Sequence, residues 1–325
     1  MVLKELKRKV VELYLTIRYY SFIPKKVLNE KPVIIIMFDG SMGHGGLLDR
    51  IKGIISTSMI AEQLNYDWKV YCDVKTFNLF KFLNTIDTSC VATKEEVIRN
   101  AWVSKPVLFY NVFNQSRPQV LSLFKKGKTQ YHFYCNVDLS KLFIAETSIE
   151  ELNNKWRKSF FSIFRFDNSF NEVQKQLFNT LENTCGIHLR FQSLLGDSNE
   201  GVDKTLQDEE CKLLLLKCIN HTVKLIDEGN FKQYLVVSDS TNFLNHLKDT
   251  ISKESRQENI QVLGGSIGHI DVNHSEEVLQ KAILDFYLLT KCKTIYQVLG
   301  KGMYNSQFSK YAAIVGKADY VIERI

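Results

Sequence analysis

The sequence predicts an α/β protein of two halves, each built on a parallel sheet and preceded by a basic helix. Three observations carry this. Val33-Ile34-Ile35-Ile36-Met37-Phe38 is an unbroken apolar run, followed at once by a glycine-rich loop and a helix-period pattern. In the C-terminal half, strand-length apolar runs alternate with helix-length amphipathic ones, which argues for a doubly wound sheet. And 325 residues is the length of roughly two domains. The expected boundaries are 1–32 for the basic segment, 33–182 for an N-terminal α/β domain and 183–325 for a C-terminal Rossmann-like domain. Two such halves imply a cleft, with ligand sites at the carboxyl ends of the strands.

Residues 2–23 read as an amphipathic helix. Leu3, Leu6, Val10, Leu13 and Ile17 recur at three- or four-residue spacing, among Lys4, Lys7, Arg8, Lys9 and Arg18, and Pro24 ends the pattern. Residues 1–31 hold eight basic and three acidic side chains, so +5 of the chain's net +6 sits there and the rest is nearly neutral. A body-wide basic stripe for nucleic acid is thereby disfavoured. A basic helix carrying Tyr14, Tyr19, Tyr20 and Phe22 either lies in an anionic membrane surface, each cation there contributing about 1 kcal/mol, or packs on the body. Both readings stay open. No apolar run approaches the ~18 residues of a membrane span, and charges interrupt any signal-peptide core. Seven scattered cysteines without a Cys-x-x-Cys pair read as reduced thiols, and three Asn-x-Ser/Thr sequons (Asn114, Asn220, Asn273) as chance. The expected location is cytoplasmic, peripheral on the inner face of a membrane.

After the first strand at 33–38 comes the loop Asp39-Gly40-Ser41-Met42-Gly43-His44-Gly45-Gly46. Leu47, Ile51, Ile54, Ile55, Met59 and Leu64 then share a helical face. Further strands are expected at 68–73 and 107–111, and a helical stretch at 150–182. In the second half strands are expected at 186–191, 234–238, 259–263, 294–298 and 320–322. Helices fit 208–228, 241–251, 275–291 and 307–316.

The glycine loop fails the P-loop pattern, and it fails the dinucleotide fingerprint because Leu48 stands at the third glycine. A loop of Gly43, His44, Gly45 and Gly46 ahead of a helix still suits a phosphate, through close backbone approach and the helix dipole; a structural glycine turn is an equal reading. On a strand, His188 and Arg190 would face one side, and an Arg fork matches phosphate oxygens. A salt bridge at a strand end explains the pair equally well. Ser238-Asp239-Ser240 ends a strand and starts a helix, where Asp239 or Ser240 could be an N-cap. Asp285 lies among apolar residues, where a lone carboxylate is costly. Ser306 and Gln307 stand at a helix start.

In this order, Gly-Gly-Leu-Leu-Asp-Arg with Ile-Lys-Gly-Ile-Ile-Ser (45–56), His-x-Arg (188–190), Ser-Asp-Ser (238–240), and Asp-Phe-Tyr-Leu-Leu with Ser-Gln-Phe-Ser (285–309) resemble the fucosyltransferase superfamily, over roughly residues 33–325. That superfamily includes the nodulation, core α-1,6, plant xyloglucan and protein-O-fucosyltransferases. The resemblance implies a GT-B fold of two Rossmann-like domains, GDP-fucose as donor substrate, inversion at the anomeric carbon, and neither metal nor cofactor. It implies an acceptor-side N-terminal domain and a donor-binding C-terminal one. By motif match, His188 and Asp285 would contact the guanine or ribose, Arg190 the β-phosphate, and Ser306 and Gln307 the pyrophosphate. Ser238 and Asp239 would belong to the donor site, with Asp239 beside Arg190 in the catalytic group. Gly43 to Gly46 would approach from the other domain. The chemistry agrees: a departing GDP gathers negative charge, which Arg, amides and helix starts can meet.

The chain departs from the pattern at Phe191, where many relatives have a second Arg, and at Ser240, in place of an aspartate pair. No general base is implied, and Asp49, Asp197 and Glu200 are the candidates. The expected partners are a nucleotide-sugar donor, a glycan acceptor such as a lipopolysaccharide or other membrane-linked oligosaccharide, and an anionic membrane surface at residues 1–31. Two alternatives remain: a transferase using another nucleotide sugar, and a non-catalytic membrane- or glycan-binding protein with a decayed donor site.

Overall fold

A computed structural model describes residues 2–20, 23, 31–73, 78–109, 115–144, 148–178, 183–197, 205–253, 259–268 and 275–325, with helix side chains from Lys9 onward. The chain forms two compact units, Met1–Arg165 and Phe166–Ile325.

Unit 1 opens with α1 (Val2–Tyr19), then β1 (Val33–Phe38), α2 (Leu47–Leu64), β2 (Asp67–Cys72), β3 (Leu83–Thr85), β4 (Ser104–Phe109), α3 (Arg117–Ser122), β5 (Gln130–Cys135), α4 (Ile149–Ile163) and β6 (Phe164–Phe166). Four strands make a parallel sheet in the order β2-β1-β5-β4, and β3 pairs with β6. All six residues of β1 are buried, because the sheet is covered on both faces. Ile34 joins Phe133, Val107 and Phe124 on one face, and Val33, Ile35 and Met37 join Tyr134, Tyr71 and Leu15 of α1 on the other.

The N-terminal helix thus packs on the body, but not by the expected stripe. Leu15 and Tyr19 are buried, whereas Val10, Leu13 and Ile17 are exposed. The Tyr19 hydroxyl reaches Nδ1 of His132 on β5. Because His132 Nε2 donates to Gln130 Oε1 (3.1 Å), Nδ1 is the acceptor. Strand β5 was not expected from sequence, since Gln130 and His132 interrupt its apolar pattern. β4 begins at Ser104, ahead of the expected 107, and residues 110–114 lie outside the described residues. The helical stretch expected at 150–182 is broken by β6.

Unit 2 comprises α5 (Ser169–Leu177), β7 (Thr184–Leu189), α6 (Asp208–Glu228), β8 (Gln233–Ser238), α7 (Thr241–Lys253), β9 (Ile260–Val262), α8 (Glu276–Leu289), β10 (Thr294–Leu299), α9 (Phe308–Gly316) and β11 (Asp319–Arg324). Its sheet is wholly parallel, in the order β11-β10-β7-β8-β9. Numbered within the unit this is 5-4-1-2-3, the doubly wound dinucleotide-binding order, whose switch point lies between β7 and β10. Ile187 and Leu189 face Leu214 and Cys218 of α6 and Phe243 and Leu247 of α7. The alternate residues of β7 face α8 and α9: a Cβ on Gly186 would stand 2.8 Å from Leu289 Cδ2. The sequence boundary at 182/183 lies beyond α5, which packs Phe170 on Tyr287 of α8 (5.7 Å between centroids) and so belongs to this unit. All seven cysteines are free.

Close approach decides one glycine in unit 1. A Cβ on Gly53 of α2 would lie 2.6 Å from the Cys135 carbonyl oxygen and 2.8 Å from Ile36 Cδ1. Backbone cannot yield as a flexible side chain can, so Gly53→Ala is expected to destabilise the protein by about 1–3 kcal/mol, read as a lower urea midpoint. An unchanged midpoint would show that α2 stands further from β5 than described.

Candidate functional site

The carboxyl end of β1 carries the glycine loop, and the loop is closed on itself. The Gly40 N–H donates to His44 Nε2 (2.9 Å), and the buried His44 ring sets its edge against Phe38. The Gly46 N–H donates to Asp49 Oδ2 (3.2 Å), and Lys52 Nζ to Asp49 Oδ1 (3.3 Å). Gly45 has φ +79°, and a Cβ there would lie 2.6 Å from Asp49 Oδ2, so this turn requires glycine. Asp49, a candidate base, is thus tied into the start of α2. Gly43 is exposed at the loop's outer edge.

Cations surround this loop, and two of them, Arg50 and Arg99, had no role in the sequence analysis. Arg50 is 1% exposed, lies over the Phe38 ring and donates from Nε to the Gly45 carbonyl (3.3 Å). Asp39 accepts from Arg99 (2.8 Å) and Tyr134 (3.2 Å), and Arg18 of α1 lies 3.7 Å away and bonds Ser41. Burial pushes the Asp39 carboxyl up, but the Ser41 bonds and Arg99 outweigh it and hold the group below its ordinary value. Arg18, Arg50 and Arg99 against Asp39 make this strand end electropositive. The quoted run 45–56 contained Arg50, but a single Arg at a helix start carries no signal of burial.

In unit 2 His188 and Arg190 stand at the carboxyl end of β7, Ser238 and Asp239 at that of β8, and Ser306 and Gln307 follow β10, while Asp285 lies on α8. β7 ends at Leu189, so Arg190 is the first residue beyond the strand and not a strand partner of His188. Its Nε lies 3.3 Å from Asp239 Oδ2. Asp239 also accepts from the Phe191 and Gln192 amides, each at 2.7 Å. Gln192 adopts a left-handed conformation (φ 57°), which the carboxylate holds. Asp239 therefore fixes the exit of β7 and the root of Arg190. Ser240, not Asp239, caps α7: its Oγ accepts from the Phe243 N–H (3.1 Å), and the Ser238 hydroxyl accepts from the Ser240 N–H. Asp197 joins the same cap, accepting from the Ser240 hydroxyl (2.8 Å) and the Asn242 N–H (2.7 Å). Glu200 lies outside the described residues.

His188 is buried near the carboxyl end of β7. Its Nδ1 is 3.1 Å from Ser309 Oγ in the first turn of α9, and its ring lies 5.5 Å from Phe308. The neighbouring β10 residue is Gln297, whose Oε1 accepts from Tyr320, while Ser309 bonds Tyr320 in turn. If Ser309 donates to Tyr320, its oxygen accepts from His188 Nδ1–H, which leaves Nε2 as an acceptor. Ser306 accepts from the Phe308 N–H (3.1 Å), and Gln307 is the residue before α9. On α8, Asp285 pairs with Lys281 through Oδ2, and Oδ1 has no hydrogen-bond partner among the described residues. Burial pushes the Asp285 carboxyl up and Lys281 opposes it. Lys281 and Gln297 were missed by the sequence analysis. The available signals were a lysine one turn before Asp285 and a glutamine inside the apolar run 294–299.

No protein-family profile matches the chain, and no curated relative matches its sequence. Solved structures do match. POFUT1 in its apo form is similar with a TM-score of 0.52 at 11% identity, over 92% of this chain and 99% of that one. Fucosyltransferase NodZ from Bradyrhizobium gives 0.47 at 14%, over 87% and 92%. POFUT1 in complex with GDP-fucose gives 0.42 at 10%, over 90% and 98%. At such identities the likeness to POFUT1 speaks for the fold. The chain has the GT-B fold class of the fucosyltransferase structures, with a parallel sheet in each unit.

Both departures from the motif pattern have structural roles here. Phe191 is fully buried against Phe243, on the face of the sheet opposite His188, and Ser240 is the helix cap. Among the described residues no group of three His, Cys, Asp or Glu side chains could hold a metal ion.

Burial, aided by nearby cationic side chains, pushes His132 and His188 down to about 3 from an ordinary 6.5. Between those values the unfolded chain binds protons that the native state refuses. Stability should therefore fall as pH drops from about 6.5 towards 3, by up to about 1.4 kcal/mol per pH unit for each histidine. Urea unfolding at several pH values reads this, and a flat profile from pH 6.5 to 5 would contradict it. Asp197→Ala should cost about 1 kcal/mol as a lost cap while leaving nucleotide affinity unchanged. A tenfold loss of affinity with normal stability would instead place Asp197 in the site.

Proposed function

We propose that the protein is a glycosyltransferase that transfers fucose from GDP-fucose, with inversion, to a glycan carried at a membrane. The observation that carries the reading is the switch point of the second sheet. There Arg190, rooted by Asp239, and the buried His188 stand at the carboxyl end of β7 beside the start of α9 with Ser306 and Gln307, and the buried Asp285 lies on α8, whose Phe286 packs on Phe308 (5.5 Å between centroids). The fold likeness to POFUT1 supports the same reading.

The chemistry follows from charge. As the bond to the sugar breaks, the leaving diphosphate gains negative charge. Arg190 and the amides at the start of α9 would meet that charge, preorganised by Asp239 and by the Ser306 hydroxyl that holds the Phe308 N–H. The buried, unpartnered Oδ1 of Asp285 would accept from the guanine edge, which presents two donors where adenine presents only its amino group. His188 Nε2 would accept from a ribose hydroxyl or the base. The membrane-linked acceptor is read from the basic segment 1–31. No helix among the described residues is long and apolar enough to cross a membrane.

GDP at about 100 times its Kd should stabilise the protein by about 2.7 kcal/mol, and UDP or ADP should not. Arg190→Ala should reduce hydrolysis of GDP-fucose by about 10²-fold or more, the loss expected for one oxyanion-stabilising group. Stabilisation by UDP alone would assign another nucleotide sugar. Equal background hydrolysis by wild type and variant would point to a binding protein.

A further inference from the structure

Helix α1 is apolar on two opposite sides. Leu15 and Tyr19, four residues apart, are seated against the sheet of unit 1. Val10, Leu13, Tyr14 and Ile17 lie on the other side and are 51–64% exposed. A helix that only roofs a sheet has no need of that outer stripe, because an exposed apolar face of this kind marks an interaction surface.

The body extends the stripe. The Ala101 N–H donates to the Tyr19 carbonyl (2.7 Å), and Asn100 Nδ2 to the Ile23 carbonyl (3.1 Å). These bonds bring the segment before β4 to the end of α1, where Trp102 (59% exposed), Tyr20 (64%) and Ile23 (76%) stand out together. A basic rim borders this patch. Lys128 Nζ donates to the Ala101 carbonyl (2.6 Å), and the Tyr131 hydroxyl accepts from the amides of Lys126 and Lys128, gathering that loop. Lys105, on the edge strand β4, feels the charges of Lys126 and Lys128 as well as that of Glu12 on α1. Lys9 is exposed on the helix itself.

We infer that this face of unit 1, the outward stripe of α1 continued by Tyr20, Ile23 and Trp102 and rimmed by lysines, seats the protein on an anionic lipid surface. The inference rests on the membrane reading above and locates it on particular residues, of which Trp102, Lys105, Lys126 and Lys128 lie in the body and not in the basic segment. Charge complementarity selects the occupant. Two copies meeting through this face would set one basic rim against the other, whereas anionic headgroups neutralise it. The geometry also matches an interfacial helix, with aliphatic side chains and a Trp at acyl-chain depth and lysines level with the headgroups. On the other flank Arg18 binds Asp39 and Ser41, so the glycine loop at the end of β1 is tied to the docked helix.

The test is co-sedimentation of the full chain with phosphatidylcholine vesicles, with and without phosphatidylserine. Deleting residues 1–31 would uncover the sheet, so exposed single side chains are changed instead. The wild type should bind the phosphatidylserine vesicles, at least tenfold more tightly than the neutral ones, and lose affinity with added salt. Leu13→Ser with Ile17→Ser, and separately Trp102→Ala, should each weaken binding tenfold or more. Lys126→Gln should weaken it about fivefold, with thermal unfolding and GDP affinity unchanged throughout. A wild type that binds neither vesicle would overturn both this inference and the membrane reading. Vesicle binding that survives all three changes would overturn the assignment of this face alone. A dimer that the stripe variants dissolve, without vesicle binding, would assign the face to a second copy and overturn the inference. Vesicle binding without any response to GDP would leave this inference standing and count against the donor site.

Discussion

The central strands of both parallel sheets, β1 and β5 in unit 1 and β7 and β8 in unit 2, are buried on both faces, and most of the structure answers to that constraint. A parallel sheet reached by helical crossovers must be covered on both sides. In unit 1 that requirement makes β1 apolar at all six positions and recruits α1, from the start of the chain, as the second cover. In unit 2 it splits β7 into two alternating sets, with Ile187 and Leu189 facing α6 and α7 and Gly186 and His188 facing α8 and α9. A buried histidine at the end of such a strand must find its partners inside the protein. The row of Ser309, Tyr320 and Gln297 is what the fold supplies.

The second half was legible in the sequence because its strands are apolar runs and its helices are long. α6 falls at the expected 208–228, and β10 extends the expected 294–298 by one residue. β5 was hidden because buried polar groups interrupt it. Gln130 and His132 are paired with each other and with Tyr19, partners distant in sequence that no local pattern announces. The outer stripe of α1 was legible as one apolar side of an amphipathic helix, with a membrane surface and packing on the body both left open. Periodicity finds an apolar side, and here there are two. In the site, residue types were legible and roles were not. Asp49, Asp197 and Asp239 all resembled chemistry in the sequence, and in the structure each carboxylate takes backbone amides that a turn or helix start would otherwise leave unsatisfied.

That division bears on how charge is arranged. Asp39, Asp49, Asp197 and Asp239 are tied to backbone, Asp285 is held by Lys281, and the cations near the strand ends and on α8 are buried or half-buried side chains: Arg50, Arg99, Arg190 and Lys281. Fixed cations with little freedom to relax are what a developing anion requires, since nothing has to reorganise when the charge appears. The net +6 of the chain is therefore a poor guide to where an anion would bind. Cations that are already partnered count for little in a sum.

The seating of α1 also has a consequence in time. It is synthesised before every strand it covers, and its partner His132 lies 113 residues downstream of Tyr19. At translation rates of roughly 5–20 residues per second, on the order of ten seconds pass before that partner exists. Through that interval the ribosome displays a helix with two apolar sides and no sheet to receive either. Whatever shelters it then, a chaperone or a bilayer, meets the nascent chain before the fold does, and the outer stripe can stay engaged when the inner one turns to β4 and β5.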